Sequence, residues 1–83
     1  MNLFEFANEM SKKLNENNHK EGWEGLSHKW IINRIKQETM ELENAIKKGK
    51  ESKEIIRECA DIANFAYMLA DNEQTKLEAE NER

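Results

Sequence analysis

Leu3, Ala7, Met10 and Leu14 recur every three to four residues, with Phe4 and Phe6 beside them. That spacing lays an apolar stripe along one face of an α-helix spanning about residues 3–14. Asn2 followed three residues later by Glu5 has the form of a capping box at its start. Residues 15–25 have no apolar period and contain Asn17, Asn18, Gly22 and Gly25, so they read as a loop that carries His19, Lys20 and Trp23. A second helix is expected from a Ser27 cap to about Lys48, with Ile31, Ile35, Leu42, Ala45 and Ile46 as its core stripe and Gly49 available to end it. A third is expected from a Ser52 cap over about residues 53–70, with Ile55, Cys59, Ile62, Ala66 and Leu69 as its main stripe. Phe65 and Met68 widen that helix on one flank, and Ile56, Ala63, Tyr67 and Ala70 on the other, so it is apolar almost all round. Beyond Asp71 only Leu77 and Ala79 offer apolar surface, which predicts a frayed tail or a short peripheral helix over residues 73–83.

The pattern therefore predicts an all-α fold, with residues 1–72 forming one domain: a helical hairpin preceded by an N-terminal helix. Composition agrees, because a chain of 83 residues with no proline and three glycines has little punctuation for strands. At this length only about 60% of the unfolded surface can be buried, which excludes a large catalytic core. The apolar girth of the third helix exceeds what one hairpin partner and one short helix can cover. A homo-oligomer, dimer or tetramer, is expected, completing a four-helix-type bundle.

Charge narrows the function. Thirteen Lys and Arg against seventeen Asp and Glu give a net charge of -4, which argues against binding a nucleic-acid polymer. No window approaches 18 uninterrupted apolar residues, so no membrane span is expected, and a single cysteine without a leader-like start reads as a cytoplasmic protein. Mean hydropathy is -1.00, a value that would suit disorder were the apolar residues not periodic.

The carboxylates carry the chemistry. At about 100° per residue, Glu38 falls within roughly 40° of the middle of the second helix's apolar stripe, where an ionised group is costly to desolvate. Glu41 lies one turn on, and Glu58 and Asp61 repeat the three-residue spacing on the third helix. The two pairs mirror each other about the turn near Gly49, so an antiparallel hairpin sets Glu38 level with Asp61 and Glu41 level with Glu58. Four converging negative charges need protons or a cation, and an all-oxygen set suits Mg²⁺, with Mn²⁺ as the other fit, rather than zinc. Neither His19 nor His28 stands three residues after a Glu, which disfavours a di-iron bundle. On the same flank as Glu38 and Glu41, Arg34 is placed to reach a phosphate; Trp30 there stacks on a base, walls the pocket, or belongs to the core.

The run Glu38-Thr-Met-Glu41, sixteen further residues and then Glu58-Cys-Ala-Asp61 resembles the ExxE…ExxD signature of MazG-like all-α nucleoside triphosphate pyrophosphohydrolases. The loop His19-Lys20-Glu21-Gly22-Trp23 is similar to the HKGGW-type loop of small phage and bacterial members. The likeness covers roughly residues 12–72, with Glu21 where glycine is common and Gln37 where a second glutamate often precedes the motif. It implies Mg²⁺-dependent hydrolysis of a nucleoside triphosphate between the α and β phosphates, giving a monophosphate and pyrophosphate. It also implies metal and catalytic roles for Glu38, Glu41, Glu58 and Asp61. Lys20, Trp23, Trp30, Arg34 and Asn64 are the candidate substrate-binding residues. Two other classes of function share these features: a non-catalytic helical interaction module, and a protein that sequesters a nucleotide without cleaving it.

Overall fold

The computed structural model describes residues 1–16 and 22–82, and among these the fold is all-α. Three helices are present: α1 (Leu3–Glu16), α2 (His28–Lys47) and α3 (Ser52–Asn81). The α1 start is the expected capping box, with the Glu5 amide donating to Asn2 Oδ1 at 2.8 Å and the Asn2 amide to Glu5 Oε1 at 3.4 Å. Ser27 caps α2 by accepting from the Trp30 amide at 3.1 Å. At the other end of α2 the Lys50 amide donates to Ala45 O and the Gly49 amide to Ile46 O, the paired bonds of a Schellman turn. Gly49 holds φ at +69°, a conformation that glycine adopts without steric cost.

Two boundaries differ from the pattern-based expectation. Glu51, extended at the exit of the Schellman turn, is the N-cap of α3, and Ser52 is already helical. The helix also does not stop near Ala70 but continues unbroken to Asn81. No glycine or proline interrupts this stretch, and polar contacts hold its first turn: His28 pairs with Glu73 at 2.6 Å, and Asn72 donates to Trp23 O at 3.0 Å.

Packing makes α3 the spine. It lies along both α1 and α2, whereas the backbones of α1 and α2 stay apart. The core is small: Trp23, Ile31, Phe65 and Met68 are buried together, with Leu14, Leu26, Ile35 and Leu69 packed against them. On α2 the expected stripe is borne out at Ile31 and Ala45, but Ile46 is 57% exposed because it faces outward at the helix end. The larger departure is on α3. Its buried residues are Ala60, Asn64, Phe65 and Met68, while Ile55, Cys59 and Ile62 are half-buried and Ala66 is exposed. At about 100° per residue that buried arc is centred roughly 150° round the helix from the expected stripe. A helix apolar nearly all round contains no period that says which face its neighbours cover.

Trp23 is a core residue. It is 9% exposed, meets Tyr67 edge-on at 5.8 Å between ring centroids, and donates from Nε1 to Asp71 Oδ2 at 3.0 Å. Trp23→Ala removes the largest side chain of a small core together with a part-buried hydrogen bond. We expect it to cost about 3–5 kcal/mol, a large share of the stability of a domain this size. Chemical denaturation checks this; a loss below about 1 kcal/mol would show that the loop does not anchor the core.

Candidate metal centre

The Schellman turn fixes the register of α2 against α3, and the mirror spacing of the four carboxylates then brings them to one cleft. The cleft has a volume of about 440 Å³ and is lined by Lys13, Arg34, Glu38, Glu41, Glu58, Asp61 and Phe65. Glu38, Glu58 and Asp61 each place a carboxylate oxygen within 4.8 Å of the others. Glu41 lines the same cleft from a more exposed position outside that three-oxygen set.

Glu38 is the deepest of them, at 5% exposure on α2. Its Oε1 accepts from Arg34 Nη2 at 2.9 Å, whereas Oε2 is buried with no hydrogen-bond partner among the described residues, as is Glu58 Oε2. Burial raises the Glu38 pKa to about 7, assisted by the neighbouring Glu41 carboxylate and by the Asp61 charge, with Arg34 opposing. Glu58 is raised by burial and then by Asp61 and Glu41. Asp61 is raised by burial, against the pull of Lys13. Three acids all pushed toward the neutral form, two of them with a buried unpartnered oxygen, make a donor set that a hard divalent cation satisfies. Among the described residues six charged side chains line the cleft, and with all of them ionised they carry two net negative charges, the deficit that one such ion makes up.

Comparison with protein families matches the chain to phosphoribosyl-ATP pyrophosphohydrolase over residues 3–81. The chain belongs to that family. The match covers nearly the whole sequence and places the protein in the all-α nucleoside triphosphate pyrophosphohydrolase superfamily, which also contains MazG. Comparison with curated proteins and with solved structures gives no significant match. Members of the phosphoribosyl-ATP pyrophosphohydrolase family typically depend on a divalent metal, in keeping with the carboxylate cluster.

The remaining site candidates of this pyrophosphohydrolase fall at different distances from that cluster. Arg34 lines the cleft; besides Glu38 it donates to Gln37, and its guanidinium lies 5.1 Å from the centre of the Phe65 ring. Trp30 is 43% exposed and meets the edge of the Phe65 ring at 6.2 Å, so it flanks the wall of the cleft and is not buried in the core. Trp23 and Asn64 do not line the cleft. Asn64 instead donates from Nδ2 to Met10 O at 2.9 Å, joining α3 to α1. Lys20 lies outside the described residues. Lys13 was not foreseen: its Nζ is 3.4 Å from Asp61 Oδ2. It is one of two adjacent lysines in an amphipathic helix, and only the packing of α1 on α3 distinguishes it.

These electrostatics fix a pH dependence. The folded state keeps the Glu38 proton up to about pH 7, whereas an ordinary glutamate in the unfolded chain releases it near 4.5. The native state therefore binds more protons across that interval, and stability of the metal-free protein falls as pH rises through it. Glu16 and Glu73, lowered chiefly by Arg57 and by Lys76 with His28, act in the opposite sense but below pH 4.5. Metal-free protein should thus melt at a higher temperature at pH 5 than at pH 8, and millimolar Mg²⁺ should recover the loss at pH 8. A metal-free melting temperature that climbs from pH 5 to pH 8 would contradict the clustering.

Proposed function

We propose that the protein is a Mg²⁺-dependent nucleoside triphosphate pyrophosphohydrolase that cleaves between the α and β phosphates, close to MazG-like enzymes in substrate handling. The observation that carries this is the buried, unpartnered Oε2 of Glu38 in the cleft where Glu58 and Asp61 converge. Glu38, Glu58 and Asp61 would hold the cation, Mg²⁺ or in its place Mn²⁺, with Glu41 beside them to complete its coordination or to orient the attacking water. When bound there, such a cation would supply positive charge to offset the negative charge that develops on the phosphates as the anhydride breaks.

The protein's own groups then divide the work. Arg34 holds Glu38 Oε1 and so leaves the other oxygen to the cation; its position at the cleft also offers a donor to a phosphate oxygen. Trp30, partly exposed beside Phe65, is a stacking surface for the base. Water adds to one phosphorus of the α–β anhydride, its proton passes to a carboxylate or to solvent, and the bridging oxygen leaves with the other phosphoryl group. The products are a nucleoside monophosphate and pyrophosphate.

The assay is pyrophosphate release from a panel of canonical and deoxynucleoside triphosphates and phosphoribosyl-ATP, with and without Mg²⁺. Phosphoribosyl-ATP belongs in the panel because it names the family and carries the same anhydride. Glu38→Gln and Glu58→Gln keep side-chain shape but remove charge, and each should lower turnover by about 100-fold or more with helicity unchanged. Binding without pyrophosphate release would make the protein a nucleotide-sequestering module, and neither would leave a helical interaction module.

We also propose that the working form is a homo-oligomer, built on the apolar stripe of α3. That stripe is left uncovered by α1 and α2 at Ala66 and only half-covered at Ile55, Cys59 and Ile62. No residue of α1 is buried, and Leu3 and Phe4 are 85% and 83% exposed. Light scattering with circular dichroism along a dilution series should show helicity lost as the assembly dissociates; a folded, active monomer at nanomolar concentration would end this proposal.

A further inference from the structure

α1 contributes one residue to the cleft, and the way it is held there is informative. The Lys13 side chain is only 15% exposed, and its ammonium lies 3.4 Å from Asp61 Oδ2. One turn before it, Met10 O accepts from Asn64 Nδ2, and one turn after it, Glu16 is paired with Arg57. Met10, Lys13 and Glu16 ascend α1 while Asn64, Asp61 and Arg57 descend α3, so three successive cross-helix contacts set the register of an antiparallel pair. The first of them uses an asparagine that is 4% exposed. Losing Met10 O would leave the buried Nδ2 donor unsatisfied, which is costly, so this contact holds the register. A lysine that only balanced surface charge would require none of this.

We propose that Lys13 is a substrate-binding residue that serves as counter-ion to Asp61 in the metal-free site and turns to the phosphate chain when a divalent cation takes that carboxylate. The inference rests on the pyrophosphohydrolase reading of the cleft. Among the described residues two cationic side chains line it, and they are not equally free. Arg34 is engaged by Glu38, by Gln37 and by the face of Phe65. Lys13 makes a looser contact with Asp61, and its other carboxylate neighbour, Glu16, is 3.9 Å away. Its compact charge on a flexible four-carbon stem can change partners by rotamer alone. A doubly charged cation on Asp61 weakens that carboxylate's hold on the ammonium and repels it directly at a separation of a few ångströms. The bound cation only cancels the cleft's excess negative charge, so an incoming polyphosphate still needs a donor, and the displaced ammonium is already in the cleft. Lys13 thus competes with the cation when it binds alone and cooperates with it when nucleotide is present.

Lys13→Met keeps the apolar stem and removes the charge; Lys13→Gln is a second variant of different polarity. Calorimetric titration with Mn²⁺ alone should give a Kd about 3- to 10-fold lower in either variant than in wild type. Titration with a non-hydrolysable nucleoside triphosphate in saturating Mg²⁺ should give a Kd about tenfold higher, and Lys13→Arg should restore most of it. A purely structural role moves both affinities the same way, or neither, and that result overturns the proposal, as does unchanged Mn²⁺ binding. If wild type itself fails to take up Mn²⁺ or Mg²⁺, the metal-centre reading falls and Lys13's role falls with it.

Discussion

A carboxylate buried in the apolar seam between two helices is the constraint on which the rest of the structure depends. Glu38 stands in the same row as Ile31 and Ala45, the other buried residues of α2. An ionised group so placed loses most of its hydration, and in a domain this small the loss competes with the whole margin of stability. The surroundings answer it only in part. Arg34 satisfies one oxygen, and the cation–π contact with Phe65 holds Arg34 in place. The other oxygen is left in the cleft with two further acids, a donor set of the kind that a hard cation satisfies.

The two helix pairings of α3 divide the labour of building that cleft. On one side the Schellman turn at Gly49 sets the hairpin register, so that carboxylates of α2 and α3 line one cleft. On the other, the Asn64 amide sets the register of α1 and brings Lys13 to Asp61. Both registers run through the same two turns of α3, which carry Glu58, Asp61 and Asn64. A single rigid helix therefore keeps anionic ligands and the cationic residue in a fixed relation, whereas loops would let them drift.

The same economy leaves the fold thinly buried. Among the described residues the main buried cluster has four side chains, and Trp23 supplies the largest of them, tied to α3 through Asp71 and Asn72. The stripe with the cleanest apolar period on α3 is not the one its intrachain neighbours cover. A short chain that commits one helical seam to carboxylates has fewer apolar positions for its own core.

Local chemistry was legible in the residues alone. The capping box at Asn2, the Ser27 cap, the glycine-terminated α2 and the intrusion of Glu38 into an apolar row follow from interactions within four or five residues of each other, and the structure bears each of them out. Mirror spacing also carried the hairpin's long-range pairing, because one tight turn leaves a helical hairpin little freedom of register. Three matters were decided only by tertiary structure. Which face of α3 is buried had no signal, since apolar residues surround the helix and the answer depends on where α1 and α2 pack. The length of α3 escaped propensity arguments because His28 and Trp23, distant in sequence, hold residues 71–73 in the helix. Lys13 and the core position of Trp23 were invisible for the same reason: a lysine on an amphipathic helix and a tryptophan in an aperiodic loop acquire their roles from partners about fifty residues away.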